Sequence, residues 1–202
     1  MKHIVLIGDS VTDCDRLTMP PYGFGYVARI AAHLSDKYQI TNMGTSGNRL
    51  VDLDERWQRD VIGNKPDILS IAIGVNDTWR RYDSNDPTSL EDLESRYRKL
   101  LTLTKEGVAP KFVLCEPFML PATPEMILWR EDLNPKIQAV HKLANEFDAV
   151  VVPFDQMFTA ALGSHTVAEL APDGIHPLDQ GHEMMAKLWI DSVLDSPLRH
   201  SL

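Results

Sequence analysis

The stretch His3-Ile4-Val5-Leu6-Ile7-Gly8-Asp9-Ser10-Val11-Thr12-Asp13 decides how the rest of the chain is read. A short β-branched apolar run that stops at Gly-Asp-Ser has the pattern of a buried strand running into a tight turn. Gly8 permits the bend without a Cβ clash, and Asp9 carries a carboxylate able to hold local backbone. The turn presents the Ser10 hydroxyl at the carboxyl end of a first strand, where open α/β sheets bind ligands. A plainer alternative gives Ser10 the commonest task of a serine after a strand, capping a helix. The other segments arbitrate.

Outward from this strand, extended and helical patterns alternate. A loop with Pro20, Pro21, Gly23 and Gly25 precedes Val27, Ile30, Ala31 and Leu34 at helical spacing. Residues 39–43 read as a second strand, followed by the turn-rich Gly44-Thr45-Ser46-Gly47-Asn48 and a helix marked by Leu50, Leu53, Trp57 and Val61. Residues 68–73 form the strongest strand and run directly into Gly74-Val75-Asn76-Asp77. Asp86-Pro87 is expected to open a helix striped by Leu90, Leu93, Tyr97, Leu100 and Leu101 and closed by Gly107. Beyond strand 112–115 a helix is expected to be interrupted near Pro135, followed by strand 149–152 and a short helix around Met157. The loop Ala171-Pro172-Asp173-Gly174-Ile175-His176-Pro177 precedes a last helix over residues 179–194. This alternation predicts a five-stranded parallel sheet in a three-layer α/β/α sandwich, flavodoxin-like in plan. No repeat or linker interrupts it, so residues 1–202 are expected to form a single domain.

Composition narrows the function. Hydrophobic residues at 44% and charged residues at 24% are ordinary globular values. A net charge of -9 argues against a nucleic-acid partner and against anionic membranes, and is silent about neutral sugars or esters. Cys14 and Cys115 make neither a disulfide framework nor a metal-binding spacing. The apolar run before Gly8 is too short for a signal-peptide core, and nothing reaches transmembrane length. The expectation is a cytoplasmic protein; the oligomeric state is left open, a homo-oligomer included.

The polar residues that follow the strands have coherent chemistry. Ser10, Gly44 and Asn76 each lie just past a strand, and Asp173 and His176 lie in the loop before the last helix. A serine hydroxyl is a weak nucleophile until a base takes its proton. An imidazole, ordinarily titrating near neutrality, is such a base. A carboxylate three residues before it can hold the ring in one tautomer. The backbone N–H groups of Ser10 and Gly44 and the side-chain amide of Asn76 fit an oxyanion hole. Taken singly, Gly44 is a turn glycine, Asn76-Asp77 a cap, Asp173-Gly174 a turn and His176 an ordinary histidine. Their joint, ordered occurrence reverses those readings. Trp79 and Tyr82 are an aromatic wall or loop packing, whereas Trp57 and Trp129 read as core or interface. Asp9, Asp13 and Asp15 lack the dedicated Lys that would complete a Mg²⁺ or phospho-acceptor site. Cys14 reads as a buried spectator thiol.

The segments Gly8-Asp9-Ser10, Gly44 after Asn42, Gly74-Val75-Asn76-Asp77 and Asp173-Gly174-Ile175-His176-Pro177 resemble the four blocks of the SGNH, or GDSL-type, hydrolases. Val11 stands where the naming motif has Leu, a packing position. The resemblance implies a cofactor-free, metal-free enzyme. Ser10 would be nucleophile, Asp173 and His176 the base pair, and Ser10, Gly44 and Asn76 the oxyanion donors. Asp9, Trp79 and Tyr82 are the candidate substrate contacts. Segments 9–14, Arg56-Trp57-Gln58, 76–80 and Pro117-Phe118 further resemble intracellular bacterial carbohydrate esterases of the acetylxylan type. That implies removal of acetyl groups from a small-molecule or oligosaccharide ester. The alternatives are a lysophospholipase or thioesterase on the same scaffold, or a non-catalytic α/β ligand-binding or phospho-receiver module.

Overall fold

Five segments pair in parallel: β1 (Lys2–Gly8), β2 (Tyr38–Gly44), β3 (Ile68–Ala72), β4 (Lys111–Cys115) and β5 (Val150–Val152). Their order across the sheet is β2-β1-β3-β4-β5, the flavodoxin-like arrangement, with its switch point between β1 and β3. The computed structural model describes residues 1–19 and 21–194, so Pro20 of the expected loop and residues 195–202 lie outside the described residues. Register places Gly44, Gly8, Ala72, Cys115 and Val152 in one row across the carboxyl edge. The segments carrying Ser10 and Asn76 therefore leave the sheet side by side.

The helices are α1 (Ser10–Asp13), α2 (Tyr26–Leu34), α3 (Leu50–Trp57), α4 (Val75–Asp83), α5 (Leu90–Gly107), α6 (Pro124–Leu128), α7 (Arg130–Phe147), α8 (Phe154–Ala161), α9 (Val167–Leu170) and α10 (Asp179–Leu194). A π-helical turn, Gln58–Ile62, prolongs α3. Alternate residues of β1 feed two cores. Ile4 and Leu6 pack with Val27 and Ile30 of α2 and Met185 and Trp189 of α10. Val5 and Ile7 pack with Leu53 and Trp57 of α3, Leu93 and Tyr97 of α5 and Leu143 of α7. Both faces of β1 are buried, which is why its sequence is continuously apolar. The three-layer α/β/α architecture follows.

Three local expectations are corrected. Pro87 does not open α5: Ser89 caps it, its Oγ accepting the Asp92 N–H at 3.0 Å. Pro135 does not interrupt α7, and the break falls at Trp129, between α6 and α7. The buried stripe Leu133, Ile137, Val140 and Leu143 runs straight across the proline. Its packing outweighs the lost backbone bond, a cost of about 3 kcal/mol. The residues after β3 are helical rather than a loop; α4 starts at Val75, from Gly74 at φ 123°.

Candidate active site

β1 and α1 meet with no room for a side chain. A Cβ on Gly8 would lie 2.3 Å from the Ala72 carbonyl oxygen and 2.4 Å from Thr12 Oγ1. Asp9 is the residue that caps α1, its Oδ1 accepting the Val11 N–H at 3.0 Å. Ser10 is thereby released from capping. As the first residue of the helix, its own N–H has no carbonyl partner within that helix. The Asp9 side chain, expected to contact substrate, is buried in the turn. Burial pushes its carboxyl up to about 7, although the hydrogen bond from the Val11 N–H works to lower it.

Asp173 and His176 come from the loop between α9 and α10. The loop folds back at Gly174, whose φ of 84° and 2.3 Å Cβ distance to the Leu120 carbonyl both require glycine. Asp173 Oδ1 accepts the N–H groups of Ile175 at 2.9 Å and His176 at 2.8 Å. Its Oδ2 lies 2.6 Å from His176 Nδ1. Burial raises the Asp173 carboxyl, but the hydrogen bonds from His176 and Ile175 outweigh it and hold the group below its usual range. An ionised carboxylate only accepts, so Nδ1 carries hydrogen and Nε2 is the acceptor. Ser10 Oγ stands 2.8 Å from that Nε2 and donates to it. The pair is open to water, with the His176 side chain 44% and that of Asp173 49% exposed.

Gly44 and Asn76 close the other side. A Cβ on Gly44 would lie 2.2 Å from Asp13 N and 2.6 Å from Thr12 C, so glycine here lets β2 end against α1. The Gly44 N–H, expected to be a free donor, instead donates to Asn42 Oδ1 at 2.8 Å. Asn42 is pinned in turn, its Nδ2 donating to the carbonyls of Thr12 at 2.7 Å and Tyr22 at 2.9 Å. Asn76, in the first turn of α4, donates one Nδ2 hydrogen to the Asn48 carbonyl at 3.0 Å. An amide carries two such hydrogens, leaving one for a ligand.

A cavity of about 290 Å³ opens beside the hydroxyl, lined by Ser10, Asp13, Cys14, Phe24, His176 and His182 among others. His182 has no sequence signal beyond its place in the last helix. Its Nδ1 accepts the Tyr26 N–H at 3.2 Å, and its Nε2 donates to Cys14 Sγ at 3.3 Å. Burial holds the ring neutral, down to about 4, and pushes the Cys14 thiol up to about 12. Cys14 thus faces the cavity, half-buried rather than buried, as a neutral thiol. Trp79 lies 6.1 Å from the His176 ring and 6.2 Å from Trp129, which stacks on Tyr82 at 5.1 Å. Trp57 is core, as expected, but Trp129 belongs to this aromatic run beside the site. Among the described residues, no group of three or more His, Cys, Asp or Glu side chains is arranged to hold a metal ion.

Relatives share this plan. An acetylxylan esterase of Geobacillus stearothermophilus is 32% identical over 207 residues, covering 95% of this chain and 94% of its own. A crystal structure of Axe2, an acetylxylan esterase from that organism, superposes with a TM-score of 0.87 at 32% identity, over 95% of this chain and 94% of the other. A GDSL-like protein of Parabacteroides merdae gives a TM-score of 0.89 at 36% identity, with coverage of 95% and 94%. The family model of the GDSL-like lipases and acylhydrolases matches residues 6–184, from within β1 into the first turns of α10. With a serine at the strand end, a sheet in flavodoxin-like order and relatives of this length, the chain belongs to the GDSL-like lipase/acylhydrolase family and is a carboxylic ester hydrolase.

Proposed function

We propose that the protein hydrolyses short acyl esters, acetyl groups on carbohydrates such as xylo-oligosaccharides above all, with Ser10 as nucleophile. The observation that carries this reading is the hydrogen-bond chain Asp173–His176–Ser10 at 2.6 and 2.8 Å. Ser10 Oγ attacks the ester carbonyl carbon while its proton passes to His176 Nε2. Asp173 holds the ring and stabilises the imidazolium. The oxyanion is met by the Ser10 N–H and the second amide hydrogen of Asn76. Gly44 joins as a third donor when its N–H is shared between Asn42 Oδ1 and the oxyanion. The imidazolium then protonates the leaving alcohol oxygen as the C–O bond breaks. Water attacks the acyl-serine, gives its proton to Nε2, and collapse returns a proton to Ser10 Oγ.

Three features support a small acyl group and a hydroxylated alcohol. The cavity of about 290 Å³ is at the lower end of ligand pockets, which run roughly 300–1,000 Å³. Its walls carry Asp13 and Asp15 but neutral Cys14 and His182, an environment that suits an uncharged polar substrate. The relatives named above as acetylxylan esterases point the same way. The test is release of acetate from acetylated xylo-oligosaccharides by the wild type, with Ser10→Ala as the blank. Equal release by the two proteins overturns the serine mechanism, and no release by the wild type overturns the substrate.

A further inference from the structure

Arg56 belongs to the segment Arg56-Trp57-Gln58, and no step of the chemistry above uses it. It lies in the last turn of α3, its side chain 10% exposed. Its donors reach acceptors behind the site. Nη1 donates to the Met43 carbonyl at 2.8 Å, Nη2 to the Gly8 carbonyl at 3.1 Å, and Nε to Asn48 Oδ1 at 2.7 Å.

Each acceptor lies close along the chain to a candidate oxyanion donor or belongs to the residue that anchors one. The Met43 carbonyl shares a rigid peptide plane with the Gly44 N–H. The Gly8 carbonyl, which also accepts the Thr45 N–H at 3.0 Å, belongs to the peptide leading into Asp9-Ser10. Asn48 offers its own carbonyl to Asn76 Nδ2 at 3.0 Å. One planar cation therefore touches the segments that carry the Ser10 and Gly44 donors and the residue that anchors Asn76. Asp60, in the π-helical turn and 8% exposed, faces the same guanidinium at 2.8 Å and supplies the counter-charge. A guanidinium presents five donors in a fixed fork, whereas an ammonium is a point charge on a flexible stem.

We propose that Arg56 is a positioning residue that sets the Ser10, Gly44 and Asn76 segments relative to one another, so that its loss weakens transition-state stabilisation rather than substrate binding. The kinetic consequence rests on the esterase reading above; the structural one rests on the hydrogen bonds alone. Arg56→Lys keeps a positive charge beside Asp60 and removes the fork. For an aryl acetate, its kcat is expected to fall about tenfold or more with KM held within about twofold. The pH–rate profile keeps its shape, because the Asp173–His176 pair is untouched. Combined with Asn76→Ala, the loss is smaller than the product of the two single losses, since part of the Arg56 effect passes through the Asn76 donor.

A second readout needs no activity. The backbone amide of Gly44 and the side-chain amide of Asn76 are expected to shift in the NMR spectrum of Arg56→Lys. Should that variant fail to fold, Arg56→Gln with Asp60→Asn removes both charges together and is read the same way. Wild-type kcat, a KM rise at constant kcat, or full multiplicativity with Asn76→Ala overturns the proposal. Should the wild type hydrolyse no ester, the functional reading falls and the amide shifts decide: unmoved Gly44 and Asn76 resonances overturn the positioning role.

Discussion

The N–H of Gly44 donates to the side chain of Asn42, two residues back in the same strand, at 2.8 Å. That bond occupies one of the three donors expected to face a developing oxyanion. It leaves the Ser10 N–H and the second hydrogen of the Asn76 amide as the donors free at rest. The unequal standing of the three makes their separate removal informative.

Asn76→Ala is expected to lower kcat by roughly 10² to 10³-fold with little change in KM, the usual effect of losing one oxyanion donor. The variant also strands the Asn48 carbonyl, which costs stability on the order of 1–3 kcal/mol. Initial rates over a range of aryl acetate concentrations separate the two parameters. A raised KM at constant kcat would reassign Asn76 to ground-state binding.

His176→Ala is expected to be close to inactive at every pH. Asp173→Asn places an amide donor against Nδ1 and favours the wrong tautomer, so the loss approaches the roughly 10⁴-fold known for such a change in a Ser-His-Asp triad. Asp173→Ala is expected to retain more activity than Asp173→Asn. The site is half-exposed, and water entering the gap can accept the Nδ1 hydrogen. Rates of the three variants in parallel check the order, and an Asn variant faster than the Ala variant refutes it.

Acyl length separates an acetyl esterase from a lipase-like enzyme of the same family. kcat/KM is expected to fall steeply from acetyl to butyryl, because a short pocket clashes with added methylenes. Each methylene that found room would instead gain about 0.8 kcal/mol. A p-nitrophenyl ester series measures it, and a maximum at octanoyl or beyond would favour the lysophospholipase reading.

Two buried groups give stability opposite slopes over nearly the same pH range. Folded Asp9 keeps its proton up to about 7, whereas the unfolded group releases it near 3.8. Its contribution is therefore full below that lower value and is lost as pH rises to 7. Folded His182 stays neutral down to about 4, against 6.5 when unfolded. Its contribution is full above 6.5 and is lost on acidification towards 4. Asp9→Asn can still accept the Val11 N–H. It is expected to gain stability over wild type as pH rises from 4 to 7, by a few kcal/mol at about 1.4 kcal/mol per pKa unit. His182→Gln is expected to flatten the acid side. Thermal melts of the three proteins from pH 4 to 8 test both, and parallel curves would refute them.

Strands were legible because β1 and β3 are buried on both faces and spell that burial in Val, Ile and Leu. The helix α4 was not. Its inner face buries Asn76, Asp77 and Thr78 rather than an apolar stripe. Buried Lys136 holds that face, its Nζ donating to the Asp77 carbonyl at 3.4 Å and Thr78 Oγ1 at 3.3 Å. Periodicity in hydrophobicity cannot register a helix anchored by polar groups. The closeness of Ser10 and His176, 166 residues apart, could be expected from topology and motif order together. The bond between Asn42 and Gly44 could not, because it depends on one side-chain rotamer. Asp9 misled for a similar reason: its neighbour in sequence faces the cavity, while Asp9 itself turns into the protein.

The near-contacts at Gly8, Gly44 and Gly174 divide the molecule into parts that tolerate change very differently. At those three positions main chain lies within 2.3 Å of where any β-carbon would go, so a laboratory library that varied them would mostly return misfolded protein. Phe24, Trp79 and Trp129 are not pinned in that way: Phe24 is exposed and the two tryptophans are only half-buried. Randomising these three should redirect which alcohols and acyl groups are accepted while the reacting atoms keep their places. Substrate range can then be engineered separately from the machinery that cleaves the bond.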